Sequence, residues 1–328
     1  MDSERITIAI TVYDRRQYLQ KAIASALDQT VPVRVIVVED CGPDPMLESL
    51  VKAEFGSRIE YVRNPKRRGL FGNWNACLEL CQTEWLSILH DDDFLAPNFT
   101  AEMVKLAGEA PGLDLYFGQT VIVNERSEPI PEYEIRPVPA PWMRIGLTDI
   151  IYHTPFPFPG QLFRVSSAKS LGGFCVHSYY CGDWEMWAKL IARTGAAQTG
   201  EVIAFNRLHA GLGRGSNRVF RSGRGTPASY LQHKRVLALL PPASRVKFDR
   251  AEYQRRNLIP VRFLLRYGAS LSPRLLRYYV GLLLLSKPPH WGYAVFRGMT
   301  RIGGTCFVKV ASALWNQINR QPPANSNQ

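Results

Sequence analysis

The sequence predicts an α/β fold in which a mostly parallel central sheet is flanked by helices, followed by a basic helical extension. Apolar runs of strand length alternate with segments of helical periodicity in the first half of the chain. Acidic side chains follow several of these runs directly. Alternation of strand and helix is typical of parallel sheets whose strands are joined by crossover helices.

The first strand is predicted at 6–12, where seven residues contain no charged side chain. The helix after it is indicated by apolar residues at helical spacing: Leu19, Ala22, Ile23, Ala26 and Leu27. Further strands are predicted at 33–38, 59–62 and 85–89, and helices at 46–55 and 73–81. Pro97 suits the first position of the next helix.

The second half of the chain is less regular. Apolar stretches predict strands at 113–123 and 199–205, and a helix is expected near 183–194. Residues 125–160 are rich in proline, which predicts a long surface excursion near the active face. Residues 211–225 are rich in Gly, Arg and Ser and are expected to be mobile, with helical segments after them.

Charge divides the chain into two predicted regions. Residues 1–217 contain 21 basic and 26 acidic residues, whereas 218–328 contain 19 basic and only 2 acidic residues, a net charge of +17. The sequence therefore predicts a catalytic domain at 1–217 and a basic helical region at 218–328 that associates with a polyanion.

Cysteine spacing and the chain start predict a cytoplasmic protein. The six cysteines form no CxxC pair and no zinc-finger spacing, as expected for reduced thiols. The first residues form no apolar signal segment, and no uncharged run approaches the ~20 residues that span a bilayer.

The acidic run at 90–93, which reads HDDD, follows the predicted strand 85–89 directly. The carboxyl ends of strands are where ligands bind in open α/β sheets. Adjacent carboxylates repel each other unless a cation or a proton relieves them, and carboxylate oxygens suit Mg²⁺ or Mn²⁺. The alternative is an acidic turn that caps the following helix.

An ordered series of motifs resembles the family 2 glycosyltransferases, whose GT-A fold has a Rossmann-like sheet. The motifs are TVYDR at 11–15, EDCG at 39–42, HDDD at 90–93, GDWEMW at 182–187 and FNRLH at 205–209. The resemblance covers about residues 5–215. It implies a nucleotide-sugar donor and inverting transfer of the sugar to a hydroxyl acceptor.

The resemblance also implies which residues bind the donor and its divalent cation. Donor-binding roles fall on Thr11, Tyr13, Asp40, Asp91, Asp92 and His209. Metal-binding roles fall on Asp91 and Asp93, with Asp93 as the direct ligand of Mg²⁺ or Mn²⁺. Tyr13 offers an aromatic face and Asp40 a hydrogen-bond acceptor. The alternatives are a packed turn residue for Tyr13, a helix cap for Asp40 and a structural role for His209.

Asp183 matches the catalytic base of the family. A base is needed because the acceptor hydroxyl loses its proton as it attacks the anomeric carbon. The alternative, a helix-capping role, is compatible with catalysis. Several positions depart from the family pattern. Thr11 stands where Pro is frequent and Asp14 where Asn is frequent, Cys41-Gly42 stands where Gly-Ser is usual, His90 replaces an Asp, and Gly182 replaces a Glu.

The basic region suggests a membrane surface. In the segment 271–285, Arg274, Arg277 and Gly281 fall on one helical face among leucines and tyrosines. Such a helix is typical of association with anionic lipid, at the inner face of the cell membrane. A helical subdomain packed on the enzyme is the alternative. No nucleic-acid partner is expected, because no recognisable nucleic-acid module accompanies the charge.

The predicted function is therefore glycosyl transfer to a saccharide or polyprenyl-linked saccharide acceptor, as in surface polysaccharide assembly. A nucleotidyltransferase is the rival among enzymes, but it needs a glycine-rich phosphate loop that the first strand lacks. A non-catalytic membrane or saccharide-binding protein is the other rival. The joint presence of Asp40, Asp93 and Asp183 argues against it.

Overall fold

The computed structural model describes residues 3–209, except 134, 136, 137, 139, 140, 153, 179 and 180, together with 232–245 and Phe248. One compact unit comprises Met1–Arg218 and Pro227–Pro241, and a second comprises Val219–Thr226 and Pro242–Gln328. The predictions for 211–225 and for the helix with Arg274 and Arg277 lie outside the described residues. The division at residue 217 stays a prediction.

Four parallel strands form one half of the sheet. They are β1 (Ile6–Val12), β2 (Arg34–Glu39), β3 (Glu60–Arg63) and β4 (Trp85–His90), with β1 between β2 and β4. Every residue of β1 is buried, as expected for a strand covered on both faces. The predicted strands at 6–12, 33–38, 59–62 and 85–89 are confirmed to within about a residue.

Helices connect these strands: α1 (Arg16–Leu27), α2 (Leu47–Phe55) and α3 (Leu70–Leu80). The residues predicted to form the apolar face of α1 are buried, apart from the partly buried Leu27. The helix predicted at 73–81 begins earlier, at Leu70, because Gly69, with a positive φ of 74°, is its N-terminal cap.

The second half of the fold consists of β5 (Phe94–Leu95), α4 (Phe99–Glu109), β6 (Leu115–Val123), β7 (Trp142–Ile145), β8 (Gln161–Arg164), α5 (Val165–Ser170), α6 (Gly182–Thr194) and β9 (Ala196–Arg207). The strands form one nine-stranded sheet in the order β3-β2-β1-β4-β8-β6-β9-β5, and β7 pairs with β9. Because β8 is antiparallel to both β4 and β6, the sheet is mixed.

The region 125–160 is not wholly the surface excursion that its prolines predict. Within it, β7 pairs with β9, and Ile150, Ile151 and Phe158 are buried. The prolines flank this short strand and do not interrupt it, so its pairing is undisturbed. Pro97 likewise precedes α4, which begins at Phe99.

Two further findings concern the described part of the chain. None of its helices has both the length and the apolar character needed to cross a membrane. Its five cysteines are free thiols, of which Cys77 and Cys81 are buried and Cys41, Cys175 and Cys181 are partly buried.

Candidate active site

The ends of three parallel strands meet at one edge of the sheet. Since β1 pairs in parallel register with β2 on one side and β4 on the other, the residues that follow these strands leave the sheet together. These residues are Tyr13, Asp40 and Asp91. This edge is the ligand-binding edge of open α/β sheets.

Asp40 is buried and holds the loop that leads into α3. Its Oδ1 accepts hydrogen bonds from the backbone N–H of Arg68 at 2.6 Å and from Asn64 Nδ2 at 3.3 Å. Its Oδ2 accepts one from the backbone N–H of Gly69 at 2.8 Å. A carboxylate has about four acceptor positions, so Oδ2 retains capacity for a ligand donor. These N–H groups precede Leu70, the first residue of α3, so Asp40 fixes the loop before the helix, and its donor contact stays a prediction.

Tyr13 and Thr11 differ in how far they reach the surface. Tyr13 is partly exposed, and the guanidinium of Arg67 lies 4.2 Å from the centre of its ring. Thr11 is buried, and its hydroxyl donates to the carbonyl of Leu89 at 3.4 Å. Their donor-binding roles stay predictions.

Arg15, at the start of α1, bridges the acidic run. Its Nη2 lies 2.8 Å from Asp91 Oδ1, and its Nη1 contacts Asp92 Oδ2. The same Asp92 oxygen lies 2.8 Å from Nε2 of His209, whose Nδ1 is 3.5 Å from Glu125. Positive groups therefore relieve the repulsion between neighbouring buried carboxylates.

Asp93 keeps one oxygen available. Its Oδ1 accepts hydrogen bonds from the backbone N–H of Arg207 at 2.8 Å and from Asn206 at 3.0 Å. Its Oδ2 is buried and accepts no hydrogen bond from the described residues, with His90 Nδ1 3.5 Å away. A cation close to this buried oxygen would stabilise its charge further, as the neighbouring His90 already does in part.

His90, Asp92 and Asp93 form the candidate metal-ligating group in the described part of the chain. One ligand atom from each lies within 4.8 Å of the others. Two carboxylates and an imidazole are a chemically reasonable set for a divalent cation such as Mn²⁺. The prediction named Asp91 with Asp93. Asp91 lies outside this group, whereas Asp93 belongs to it, and the metal-binding roles of both stay predictions.

The acidic run is electrostatically uneven. Burial raises the pKa of Asp91 to about 7, although Arg15 opposes the change. Burial also raises the pKa of Asp93. Burial acts in the same sense on Asp92, but His209 and Arg15 outweigh it and lower the pKa of that carboxyl. Asp92 is therefore the most readily ionised member of the run.

Arg207, at the end of β9, holds the backbone of the acidic run by a hydrogen bond from its guanidinium. It is buried, and its Nε donates to the carbonyl of Asp92 at 2.9 Å. Its Nη1 donates to the carbonyls of Asn124 and Glu125, each at 2.9 Å. These contacts bind the guanidinium to backbone carbonyls of the protein. Arg207 therefore orients the acidic run from its buried side.

Asp183 lies in the first turn of α6 and is partly exposed. Burial raises its pKa to about 6, while the N–H of Trp184 and the positive charge of His90 lower it in part. Packing places the start of α6 near the acidic run: Gly182 lies against Phe71, whose ring centre is 5.0 Å from that of Trp74, and Trp74 stacks on His90 at 5.5 Å.

The glycine before Asp183 has a packing reason. A Cβ built on Gly182 would lie 2.5 Å from the ring of Phe71 on α3, closer than side chains approach one another. The Phe71 ring occupies the space that a glutamate side chain at this position would need. The departure from the family pattern at residue 182 therefore accompanies tight packing of α3 on α6.

Sequence reasoning missed Arg15 and the aromatic surroundings of His90. The His90 ring stacks on Phe158, with ring centres 4.3 Å apart, and on Trp74 at 5.5 Å. A signal for Arg15 existed, because it follows the same strand end as Tyr13 and is opposite in charge to the acidic run. Phe158 lies 68 positions from His90 along the chain, and nothing local connects the two.

The sequence model described as "Glycosyl transferase family 2" matches residues 7–171, half of the chain. This protein belongs to that family. The match covers the strand ends that contain Tyr13, Asp40 and the acidic run.

Curated relatives share only part of the sequence with this chain. The chain is 31% identical over 106 residues to "Succinoglycan biosynthesis protein ExoO" of Rhizobium meliloti, covering 32% of this chain and 30% of that protein. It is 26% identical over 218 residues to "Uncharacterized glycosyltransferase RT0329" of Rickettsia typhi, covering 63% and 65%. The chain therefore spans less than two thirds of the length of each of these relatives.

Solved structures resemble the fold over nearly the whole chain. S. aureus TarS 1-349 in complex with UDP-GlcNAc matches with a TM-score of 0.62 at 14% identity, covering 97% of this chain and 92% of that one. The mannosyltransferase PcManGT from Pyrobaculum calidifontis, in complex with GDP-Man and Mn²⁺, matches with a TM-score of 0.55 at 18% identity, covering 97% and 88%. These likenesses confirm the predicted GT-A fold.

Proposed function

We propose that this protein is an inverting, metal-dependent glycosyltransferase that uses a nucleotide-diphosphate sugar. The observation that carries the proposal is the convergence of Asp40 and the acidic run at one edge of the sheet, with the start of α6 packed nearby through Phe71 and Trp74. Membership of family 2 supports it. The nucleotide sugars bound to two proteins of the same fold, UDP-GlcNAc and GDP-Man, support it further.

The donor binds along the ends of β1, β2 and β4. Its base lies against Tyr13 and reaches Asp40, whose Oδ2 retains an acceptor position. Thr11, Asp91, Asp92 and His209 complete the predicted donor site. Of these, Asp92 and His209 are already joined by a hydrogen bond of 2.8 Å, so a donor meets them as a preformed pair.

Asp93 holds the divalent cation, with Asp92 and His90 as neighbouring ligands and Asp91 as a further candidate. The free Oδ2 of Asp93 supports this assignment, as does the close grouping of the ligand atoms. A bound Mg²⁺ or Mn²⁺ neutralises charge on the diphosphate leaving group. Arg207 and Asn206 hold Asp93 Oδ1 by hydrogen bonds, so Oδ2 is the oxygen that remains for the cation.

Asp183 acts as the general base that takes the proton of the acceptor hydroxyl. A base works best when its pKa lies near the working pH, and burial raises the pKa of Asp183 to about 6. At neutral pH the group is mostly ionised, and the N-terminal end of α6 favours that charge. A single base of this kind implies inversion at the anomeric carbon.

The acceptor is a saccharide or polyprenyl-linked saccharide, in assembly of a surface polysaccharide. Support comes from the likeness to a succinoglycan biosynthesis protein. The basic region 218–328 suggests that the enzyme works at the inner face of the cell membrane. Replacing Arg274 and Arg277 with Glu should then weaken sedimentation with anionic vesicles and leave donor hydrolysis unchanged. Equal sedimentation with neutral vesicles would contradict membrane attraction by charge.

A binding experiment tests the proposed function and separates its rivals. Thermal unfolding is followed with UDP, GDP and dTDP, with their sugar conjugates and with the corresponding nucleoside triphosphates, each with and without Mn²⁺. A glycosyltransferase is stabilised by one nucleoside diphosphate in a Mn²⁺-dependent way and slowly hydrolyses its sugar conjugate. Stabilisation without hydrolysis favours a binding protein. Stabilisation by nucleoside triphosphates instead favours a nucleotidyltransferase.

A further inference from the structure

The segment 232–240 packs against the start of α6, within the compact unit that also contains the acidic run. The segment is attached through Glu185 on α6 and through Ser178, which contacts both Gln232 and Arg235. Glu185 Oε2 accepts hydrogen bonds from Gln232 Nε2 and from Arg235 Nη1, each at 3.0 Å. Val236 and Leu237 of the same segment are buried.

The attachment continues on a second side of α6. His233 Nδ1 lies 2.9 Å from the carbonyl of Ile151, and Trp184 Nε1 donates to the neighbouring carbonyl of Ile150 at 2.7 Å. The rings of Trp184 and His233 are 6.4 Å apart. The segment, the turn at 150–151 and the first turn of α6 therefore form a closed set of contacts.

Helix geometry relates this attachment to Asp183. Glu185 follows Asp183 by two positions, which is about 200° around an α-helix. The two carboxylates therefore point to nearly opposite sides of α6. A force that holds Glu185 on one side fixes the rotation and position of Asp183 on the other.

We propose that Arg235 and Gln232 are positioning residues, which hold α6 through Glu185 so that Asp183 meets the acceptor at the correct place. This inference rests on the proposed function. Neither residue belongs to the strand ends where the donor binds, so their effect falls on the rate of the chemical step and not on donor affinity. Misplacement of a reacting group by about 1 Å can lower a rate by about 100-fold.

Lys189 provides a matched control. Its Nζ lies 2.8 Å from Glu185 Oε1, so it pairs with the same carboxylate as Arg235. Lys189, however, belongs to α6 itself and links the helix only to its own next turn. Loss of Lys189 removes one cation from Glu185 without detaching the segment.

The experiment compares Arg235→Ala, Arg235→Lys and Lys189→Ala in the full chain, using the nucleotide sugar that the wild-type chain hydrolyses. We expect Arg235→Ala to lower kcat by about 10- to 100-fold, with the KM for the donor within about twofold of wild type. Arg235→Lys keeps a donor to Glu185 and should recover most of kcat. Lys189→Ala should retain the wild-type kcat, and all variants should stay folded at the assay temperature.

Equal loss of kcat in Arg235→Ala and Lys189→Ala would overturn the inference, as would wild-type kcat in Arg235→Ala. If Arg235→Ala unfolds, Gln232→Leu replaces it, and a wild-type kcat in Gln232→Leu would overturn the inference equally. A wild-type chain that hydrolyses no nucleotide sugar contradicts the proposed function itself. An active wild type with unaffected variants contradicts the positioning role alone.

Discussion

Replacing Asp183 with Asn should make the protein more stable and much less active. Burial raises the pKa of Asp183 from its ordinary value of 3.8 to about 6. At about 1.36 kcal/mol for each pKa unit, the buried charge costs at most about 3 kcal/mol of folding free energy. Because the side chain is partly exposed and solvent screens it, we expect Asn to recover about 1–2 kcal/mol. Asn can still accept the hydrogen bond from the N–H of Trp184.

The sign of this effect depends on pH. Well below its ordinary pKa of 3.8, Asp183 is protonated in both the folded and the unfolded chain, so its burial carries no charge penalty. As pH rises, the unfolded chain loses the proton first, and the penalty is complete above the folded-state pKa of about 6. The gain in stability from Asp183→Asn should therefore be complete at pH 8 and mostly lost at pH 4.

Urea unfolding at the two pH values measures the stability, and hydrolysis of the nucleotide sugar measures the rate. Loss of a general base typically lowers a rate by about 10²- to 10⁴-fold, and the nucleoside diphosphate should bind as in wild type. Glu132→Gln, which removes an exposed charge outside the helices and strands, is the control and should change neither quantity. A near-normal rate in Asp183→Asn, or lower stability at pH 8, would refute the reasoning.

Three further predictions concern the same site. Gly182→Ala should lower the free energy of unfolding by about 1–3 kcal/mol, because the added Cβ meets the ring of Phe71. Gly108→Ala is the control, since its Cβ meets nothing within 4 Å. Equal unfolding midpoints of the two variants in urea would contradict this packing argument. Arg15→Gln should enlarge the rise in Tm caused by Mn²⁺, since it removes the positive charge that competes for the acidic run; a rise equal to that of wild type would show that Arg15 does not compete. The rate of donor hydrolysis should fall as pH is lowered through about 6, where the base becomes protonated, and a flat profile from pH 5 to 8 would exclude Asp183 as the base.

The parallel half of the fold could be predicted because its signals are local. β1, β2 and β4 are short apolar runs with acidic residues at their ends, so both the strands and the edge they share follow from the sequence. The antiparallel strands β7 and β8 could not be predicted in the same way. Each is four residues long and is stabilised by pairing with β9 or with β4 and β6, which lie far away along the chain.

The candidate site shows the same limit. Asp40, Asp93 and Asp183 could be named from their positions after strands or before a helix. The separate roles of the acidic residues could not be predicted, because these roles depend on contacts between residues that are distant along the chain. Asp91 and Asp93 are two positions apart, yet one pairs with Arg15 and the other keeps a free oxygen beside His90.

The most direct test of the central claim is hydrolysis of nucleotide sugars by wild type and by Asp93→Ala, in Mn²⁺ and in EDTA. Wild type should release sugar from one nucleotide sugar in Mn²⁺ and should lose this activity in EDTA. Asp93→Ala should be inactive, and Mn²⁺ should no longer strengthen the binding of the nucleoside diphosphate to this variant. Full activity of Asp93→Ala, or of wild type in EDTA, would contradict the claim.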